Sequence, residues 1–423
     1  MSIFKYLLFP FFCLVFAFQA SGQATSSPYS TFGIGEHYGN ALINNQGMAG
    51  TGVAQPQFWY VNNQNPALLV YNTLTVFQAG IVGENRTIRT DTLKESTKGG
   101  NLNYLVTAFP IKPTKWSTSL ALSPFTTVKY RLSYLDNVFG QTDTLDIIED
   151  GSGGVSQFSW SNGVRLTKTM AVGLRASYLF GSIVNKFQNR LIKDGRTSAY
   201  YSTIEDRTYV KDFAFSAGFS FSKDSLFSRQ KYRLSFGAVY DFQTDLKTRQ
   251  RSLIYRSNPS TDPLDVDTLT NRQGTITIPS GITAGVSLGM GGKWTIAAEF
   301  GYYDWSSFRS VSRDDEGLKE SWRAALGWEV TPDAFALDKY LERITYRVGV
   351  SMEEYPFLAN NKSVKDLGLN FGLSLPAGRS SLDLGFRYGK RGNRNDNLIE
   401  QNYFRIFFGV TFNDQWFIKR KFD

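Results

Sequence analysis

Between Tyr403 and Phe412 the chain reads Tyr-Phe-Arg-Ile-Phe-Phe-Gly-Val-Thr-Phe. Side chains alternate faces along a strand, so Phe404, Ile406, Phe408, Val410 and Phe412 share one side. Arg405, Phe407, Gly409 and Thr411 share the other, which is mixed and partly polar. The pattern recurs. Met170, Val172, Leu174, Ala176, Tyr178 and Phe180 oppose Gly173, Arg175 and Ser177. Trp294, Ile296, Ala298, Phe300 and Tyr302 oppose Thr295, Ala297 and Glu299. Val128, Tyr130, Leu132 and Tyr134 oppose Lys129, Arg131 and Ser133. Many runs outlast the roughly 5–6 residues of soluble sandwich strands and suit membrane strands of about 9–11. The expected fold is all-β: a transmembrane antiparallel β-barrel.

Mean hydropathy is only −0.26, which suits a barrel whose alternate residues alone meet lipid. Aromatic residues make up 15% of the chain, enough for girdles at both membrane surfaces. The N-terminus has Lys5, an apolar run from Tyr6 to Phe18, and then Ala20 and Gly22 before Gln23, the layout of a cleaved secretory leader. The run is short of the roughly 20 residues a spanning helix needs. Cys13, the only cysteine, leaves with that leader, so disulfides and thiolate chemistry are excluded. The net charge is +9. Its basic residues are dispersed, which argues against nucleic acid and for a basic lumen or loops facing anionic headgroups.

Fitting strands between turns gives about 14, an even number as single-chain bacterial barrels prefer. They span 73–89, 100–109, 116–136, 153–167, 170–195, 200–222, 231–255, 272–290, 293–312, 318–330, 343–352, 366–376, 380–391 and 402–413. One set of connections is tight. The other, at 90–99, 137–152, 256–271, 353–365 and 390–401, is longer and polar. Tight turns belong to the periplasmic side, so an even number puts both termini there, in a Gram-negative outer membrane. The expected organisation is a leader at 1–22, an N-terminal plug at 23–72, the barrel at 73–413 and a periplasmic tail at 414–423. Thr331–Glu342 reads either as a capped short helix over the rim or as a longer turn.

Residues 23–72 do not alternate. They contain Gly47-Met48-Ala49-Gly50-Thr51-Gly52-Val53-Ala54 and later Asn65-Pro66-Ala67. No strand leads into the glycines and no Lys-Ser/Thr follows, so a phosphate loop is a weak reading. Irregular backbone packed closely inside something else is the better one. This arrangement, followed by the first strand, resembles the FadL/OMPP1/TodX family of outer-membrane transport proteins. Ser27-Pro28-Tyr29-Ser30, Tyr388-Gly389-Lys390-Arg391-Gly392 and the Trp416–Lys421 stretch resemble its Bacteroidota branch. The resemblance implies a 14-stranded barrel plugged by an N-terminal hatch that includes Gly47, Gly50, Gly52, Asn65, Pro66 and Ala67. It further implies passive uptake of hydrophobic small molecules such as long-chain fatty acids, with lateral release where the third strand kinks. Some such barrels instead serve protein secretion, as a non-transporting partner or plug in an outer-membrane complex. Expected partners are therefore outer-membrane lipids, a hydrophobic ligand and, under the second implication, an outer-membrane protein.

Pro124 interrupts the third strand and lacks a ladder donor. It marks either a wall opening or a turn between two shorter strands. Lys129, Arg131, Arg165, Arg175, Glu299, Arg323, Glu329 and Arg387 are expected on the lumen face. There they either dock a ligand carboxylate or pair with carboxylates to hold the plug. Catalysis finds little support. His37 is the only histidine, and no nucleophile and carboxylate accompany it. Cys and His are too few for a metal cluster, so no cofactor and no metal are expected. Asp314-Asp315-Glu316 reads as a solvated turn.

Overall fold

The computed structural model describes residues 24–138, 143–194, 196–224, 232–258, 261–311 and 317–415. The leader, Asp314-Asp315-Glu316 and the tail beyond 415 lie outside them. Fourteen antiparallel strands run among the described residues: β1 (Thr75–Arg89), β2 (Lys94–Lys112), β3 (Trp116–Asn137), β4 (Thr144–Arg165), β5 (Met170–Lys193), β6 (Tyr201–Asp224), β7 (Tyr232–Asp241 with Thr244–Asn258), β8 (Thr261–Ile278 with Gly281–Met290), β9 (Trp294–Tyr303), β10 (Ser321–Val330), β11 (Thr345–Ala359), β12 (Lys362–Ala377), β13 (Ser380–Arg391) and β14 (Glu400–Asp414). β14 pairs with β1 from Glu400–Arg89 to Asp414–Thr75, so the sheet closes and leaves no edge there.

Alternation sets which face meets lipid. On β14, Phe404, Ile406 and Phe412 are exposed while Tyr403, Phe407 and Thr411 are buried. β5 repeats this, with Leu174 out and Arg175 in. Several connections expected as long loops are instead ladder: 144–152, 261–271, 94–99 and 353–359 all lie in strands. Above the apolar band both faces of a strand meet water, so hydrophobic alternation stops while backbone pairing continues.

Strand β3 departs from the expected facing. Ser117, Ser119, Ala121 and Ser123 point into the lumen. A bulge between Pro124 and Thr126 then inserts one extra residue against β4. One extra residue exchanges the two faces of everything beyond it. Val128 therefore points inward, 4% exposed, and packs in a cluster with Ile34. Lys129 and Arg131 turn outward, contrary to expectation. Arg131 is two-thirds exposed and lies 3.8 Å from Asp150 on the adjacent strand.

Pairing of β2 with β3 covers only Leu105–Lys112 against Trp116–Leu122. Above Leu105 and Leu122 the two strands part, although β2 stays paired to β1 and β3 to β4. A two-residue strand, Glu36–His37, pairs with Thr126–Thr127 on the freed edge of β3.

Residues 24–72 fill the barrel. The first described residues lie against the wall, where Thr25 donates to Glu84 on β1 at 2.8 Å. The chain reaches the tight-turn end only as it enters β1. Strand β1 thus starts and β14 stops at the tight-turn end, whereas residue 24 lies further along the wall. Strand parity says nothing about a segment that precedes the barrel. Inward-facing glycines receive this segment around the ring. A Cβ at Gly237 would stand 1.9 Å from the Val53 carbonyl oxygen, and one at Gly173 2.4 Å from the Pro66 carbonyl carbon. Gly349 and Gly372 meet Met48 and Gly47 in the same way.

The connection between β10 and β11 is mostly turn. Asp333 accepts from the Phe335 N–H, and only Tyr340–Arg343 is helical. The segment thus combines the two readings the sequence left open, a longer turn that ends in one short helical turn.

Candidate functional site

Between the plug and the non-tight-turn end lies a cavity of about 380 Å³. Phe32 and Ile34 of the N-terminal segment line it with Phe125, Trp305 and Phe357 of the barrel and its loops. His37 stands edge-on to Phe125 at 5.0 Å and to Trp305 at 5.1 Å. Gly99, Asn101 and Asn103 also line the cavity, and they belong to the part of β2 that has no β3 partner. The cavity therefore reaches the gap in the wall.

One side of the cavity is an ion-pair network. Glu36 from the N-terminal segment is held by Arg86 of β1, at 3.0 Å, and by Arg391 of β13. Glu84 accepts from Arg86 at 2.6 Å and from Arg405 at 2.5 Å. Asp366 accepts from Arg391 at 3.0 Å and from Arg387 at 3.1 Å, and the Tyr403 hydroxyl lies 2.8 Å from both its oxygens. Burial alone would raise the Glu36 carboxyl. Arg86 and Arg391 outweigh it and hold the group well below the usual carboxylate value.

A second set of contacts pins the plug lower down. Glu299 of β9 accepts from the Gly52 and Val53 N–H groups, each at 3.0 Å, and lies 3.5 Å from Arg323. The glycine loop thus cradles an anion, but the anion is the wall's own carboxylate. Arg323 also donates to the Ala49 carbonyl, and buried Arg175 to the carbonyls of Asn63 and Gln64. The Asn65 side chain accepts from Ala67 N–H at 3.0 Å and donates to Val53 and to Phe219 of β6.

The family model BamG matches residues 3–423. The chain belongs to the BamG family. Among solved structures it is similar to a Pseudomonas aeruginosa FadL homologue, at 12% identity and a TM-score of 0.57, covering 90% of this chain and 99% of that one. It is also similar to the Pseudomonas putida toluene transporter TodX, at 14% identity and a TM-score of 0.55, covering 90% and 98%. The CymD monoaromatic hydrocarbon channel gives 12%, 0.54, 90% and 99%. At such identities the likeness is one of fold: a FadL-like outer-membrane barrel. No curated protein is detectably similar to the chain.

Of the lumen candidates, Arg175, Glu299, Arg323 and Arg387 line the cavity. Arg165 does not. It sits at the tight-turn end, donating to the Thr114 carbonyl at 2.7 Å and lying over the Tyr71 ring. Glu329 is beneath the plug, 2.6 Å from Arg347. Lys129 and Arg131 face away from it. The sequence reading passed over Glu36, Glu84, Arg86 and Asp366. Their signal is the rarity of charges that stay on the inward side of alternating strands, and Glu36 lies in a segment with no alternation to read.

Proposed function

We propose that this BamG-family barrel is an outer-membrane channel for small hydrophobic molecules, working by diffusion without nucleotide hydrolysis. The carrying observation is a half-apolar cavity that reaches the gap between β2 and β3, where the N-terminal segment pairs with the β3 edge. Its volume falls in the ~300–1,000 Å³ range of small-molecule sites. Burying about 200 Å² of apolar ligand surface there is worth roughly 5 kcal/mol at ~25 cal/mol/Å², enough for capture yet weak enough for release. The molecule would be held between Phe125, Trp305 and Phe357. It would leave sideways between β2 and β3 once Glu36–His37 withdraws from the β3 edge, with Pro124 at the margin of that opening. The plug of residues 23–72 blocks a straight path to the periplasm.

The network bears on the ligand class. Arg387, Arg391 and Arg405 each have carboxylate partners, and Arg323 has Glu299. A fatty-acid carboxylate at any of these four would have to displace a partner, at the cost of an unpaired buried charge, while Arg175, which also lines the cavity, is already held by the Asn63 and Gln64 carbonyls. Neutral apolar molecules are favoured over fatty acids. Mass spectrometry of protein reconstituted with an equimolar mixture of a monoaromatic hydrocarbon and a long-chain fatty acid tests this. Retention of neither would sink the channel reading, and preferential retention of the acid would sink the neutral-ligand refinement.

A second reading has its own support. The plug is tied to the wall by ion pairs and close glycine contacts around the ring, which suits a barrel that never opens. Such a protein would be a non-transporting partner or plug in an outer-membrane secretion complex. A stoichiometric protein partner on gentle extraction, with no ligand retained, would favour it.

A further inference from the structure

The connection between β10 and β11 presents Phe335, Leu337 and Leu341 to the outside, 89%, 92% and 68% exposed. Three large apolar groups so exposed in one short loop are unusual on a water-facing surface. Its placement names what covers them. Arg347 points into the lumen, toward Glu329, so its neighbour Tyr346 faces outward. The Tyr346 hydroxyl donates to the Leu341 carbonyl at 3.1 Å. The Tyr340 hydroxyl donates to the Pro376 carbonyl of β12 at 3.1 Å. The helical turn Tyr340–Arg343 therefore lies against the outer side of β11 and β12, the side that meets lipid, and not beneath the lumen. Outward-facing Trp328 and Trp294 continue the apolar surface along the same end of the barrel. Charged groups of both signs flank the apolar residues: Asp333, Asp338, Arg343 and Lys339, which pairs with Glu342 at 2.9 Å. Lys293, whose carbonyl accepts from Thr331 at 2.7 Å, stands nearby. Apolar side chains beside an aromatic belt, with charged groups at the margin, match the boundary between acyl chains and headgroups.

We propose that residues 331–344 are an interfacial anchor, with Phe335, Leu337 and Leu341 inserted into the membrane leaflet at the tight-turn end. The anchor would fix the depth of the β10–β11 wall independently of what the lumen carries.

The mature chain offers no cysteine once Cys13 is gone with the leader, so a single introduced cysteine reports cleanly. Leu337→Cys carries an environment-sensitive fluorophore on the full protein in vesicles of phosphatidylethanolamine and phosphatidylglycerol. Lipids with shallow spin labels quench it. Ile406→Cys, on the lipid face of β14, is the reference. The expected result is quenching of the Leu337→Cys label to at least half the extent at Ile406→Cys, with protection from iodide. Quenching at Ile406→Cys alone, with Leu337→Cys open to iodide, overturns the anchor. If a crosslinker at Leu337→Cys then captures a protein in intact cells, a periplasmic partner covers the loop instead, which equally overturns it. Quenching at neither site would overturn the barrel's membrane orientation as well, a distinguishable failure. Leu337 is 92% exposed, so its replacement leaves folding intact.

Discussion

Single residues bind the N-terminal segment to the wall, and Glu36 is the most heavily committed. Removing its charge by Glu36→Gln leaves Arg86 and Arg391 buried without their shared partner, a loss of about 3 kcal/mol by analogy with other broken buried pairs. The expected readout is faster hydrogen exchange in residues 24–40 while the strand amides stay protected. Unchanged exchange there would mean that Glu36 does not hold the segment. The pH dependence has a definite sign. In the unfolded chain this carboxyl titrates near its ordinary value of 4.5, and in the folded chain below it. Its contribution is therefore complete above about pH 4.5 and is lost as the pH falls toward the folded value. Exchange in residues 24–40 should rise on acidification below that point, and Glu36→Gln should flatten the rise. Gly237 acts by absence of a side chain. Gly237→Leu drives carbon into the Val53 carbonyl, which stands 1.9 Å from even a Cβ. It should cost about 1–3 kcal/mol, seen as a lower unfolding temperature in detergent, unless the plug shifts away.

At the scale of elements, β3 carries most of the departure from simple alternation. The bulge after Pro124, rather than the missing proline donor, decides which residues face the cavity. Pro124→Ala should therefore change stability by less than about 1 kcal/mol, because no β2 partner waits for the restored N–H. Deleting Phe125 removes the extra residue and reverses the facing of Thr126–Asn137. Val128 would then leave its cluster and Lys129 would enter it. Loss of the heat-modifiable folded band on gels is expected for the deletion and not for Pro124→Ala. The reverse ranking would show that the proline itself shapes the strand. Alternation identified the faces of β5, β9 and β14 because each runs through the apolar band without a bulge. It misassigned Lys129 and Arg131 because a bulge leaves the composition of the two faces unchanged while exchanging their directions.

For the whole molecule, the barrel is a closed ring and residues 24–72 lie within it. If the channel reading holds, Phe125→Asp should weaken retention of a monoaromatic ligand at least tenfold, since it puts a charge at the cavity wall beside the gap. Thermal stability should change little, as Phe125 is only partly buried. Equal retention by the variant and the parent would place the ligand elsewhere.

The number of strands, the lipid-facing side chains of the strands that carry no bulge and the lack of any period in residues 23–72 were legible in the chain itself. Each follows from local periodicity or its absence, and a bilayer punishes any strand that breaks the pattern. The extent of the ladders beyond the apolar band, the parting of β2 from β3 and the placement of Glu36 between Arg86 and Arg391 came only from the tertiary structure. These depend on groups brought together from distant parts of the chain. Above the band, water no longer distinguishes the two faces of a strand, so nothing in the sequence records where pairing ends. Inside the plug no period exists, and the partners of each charge are chosen by how the segment packs against the glycines of the wall.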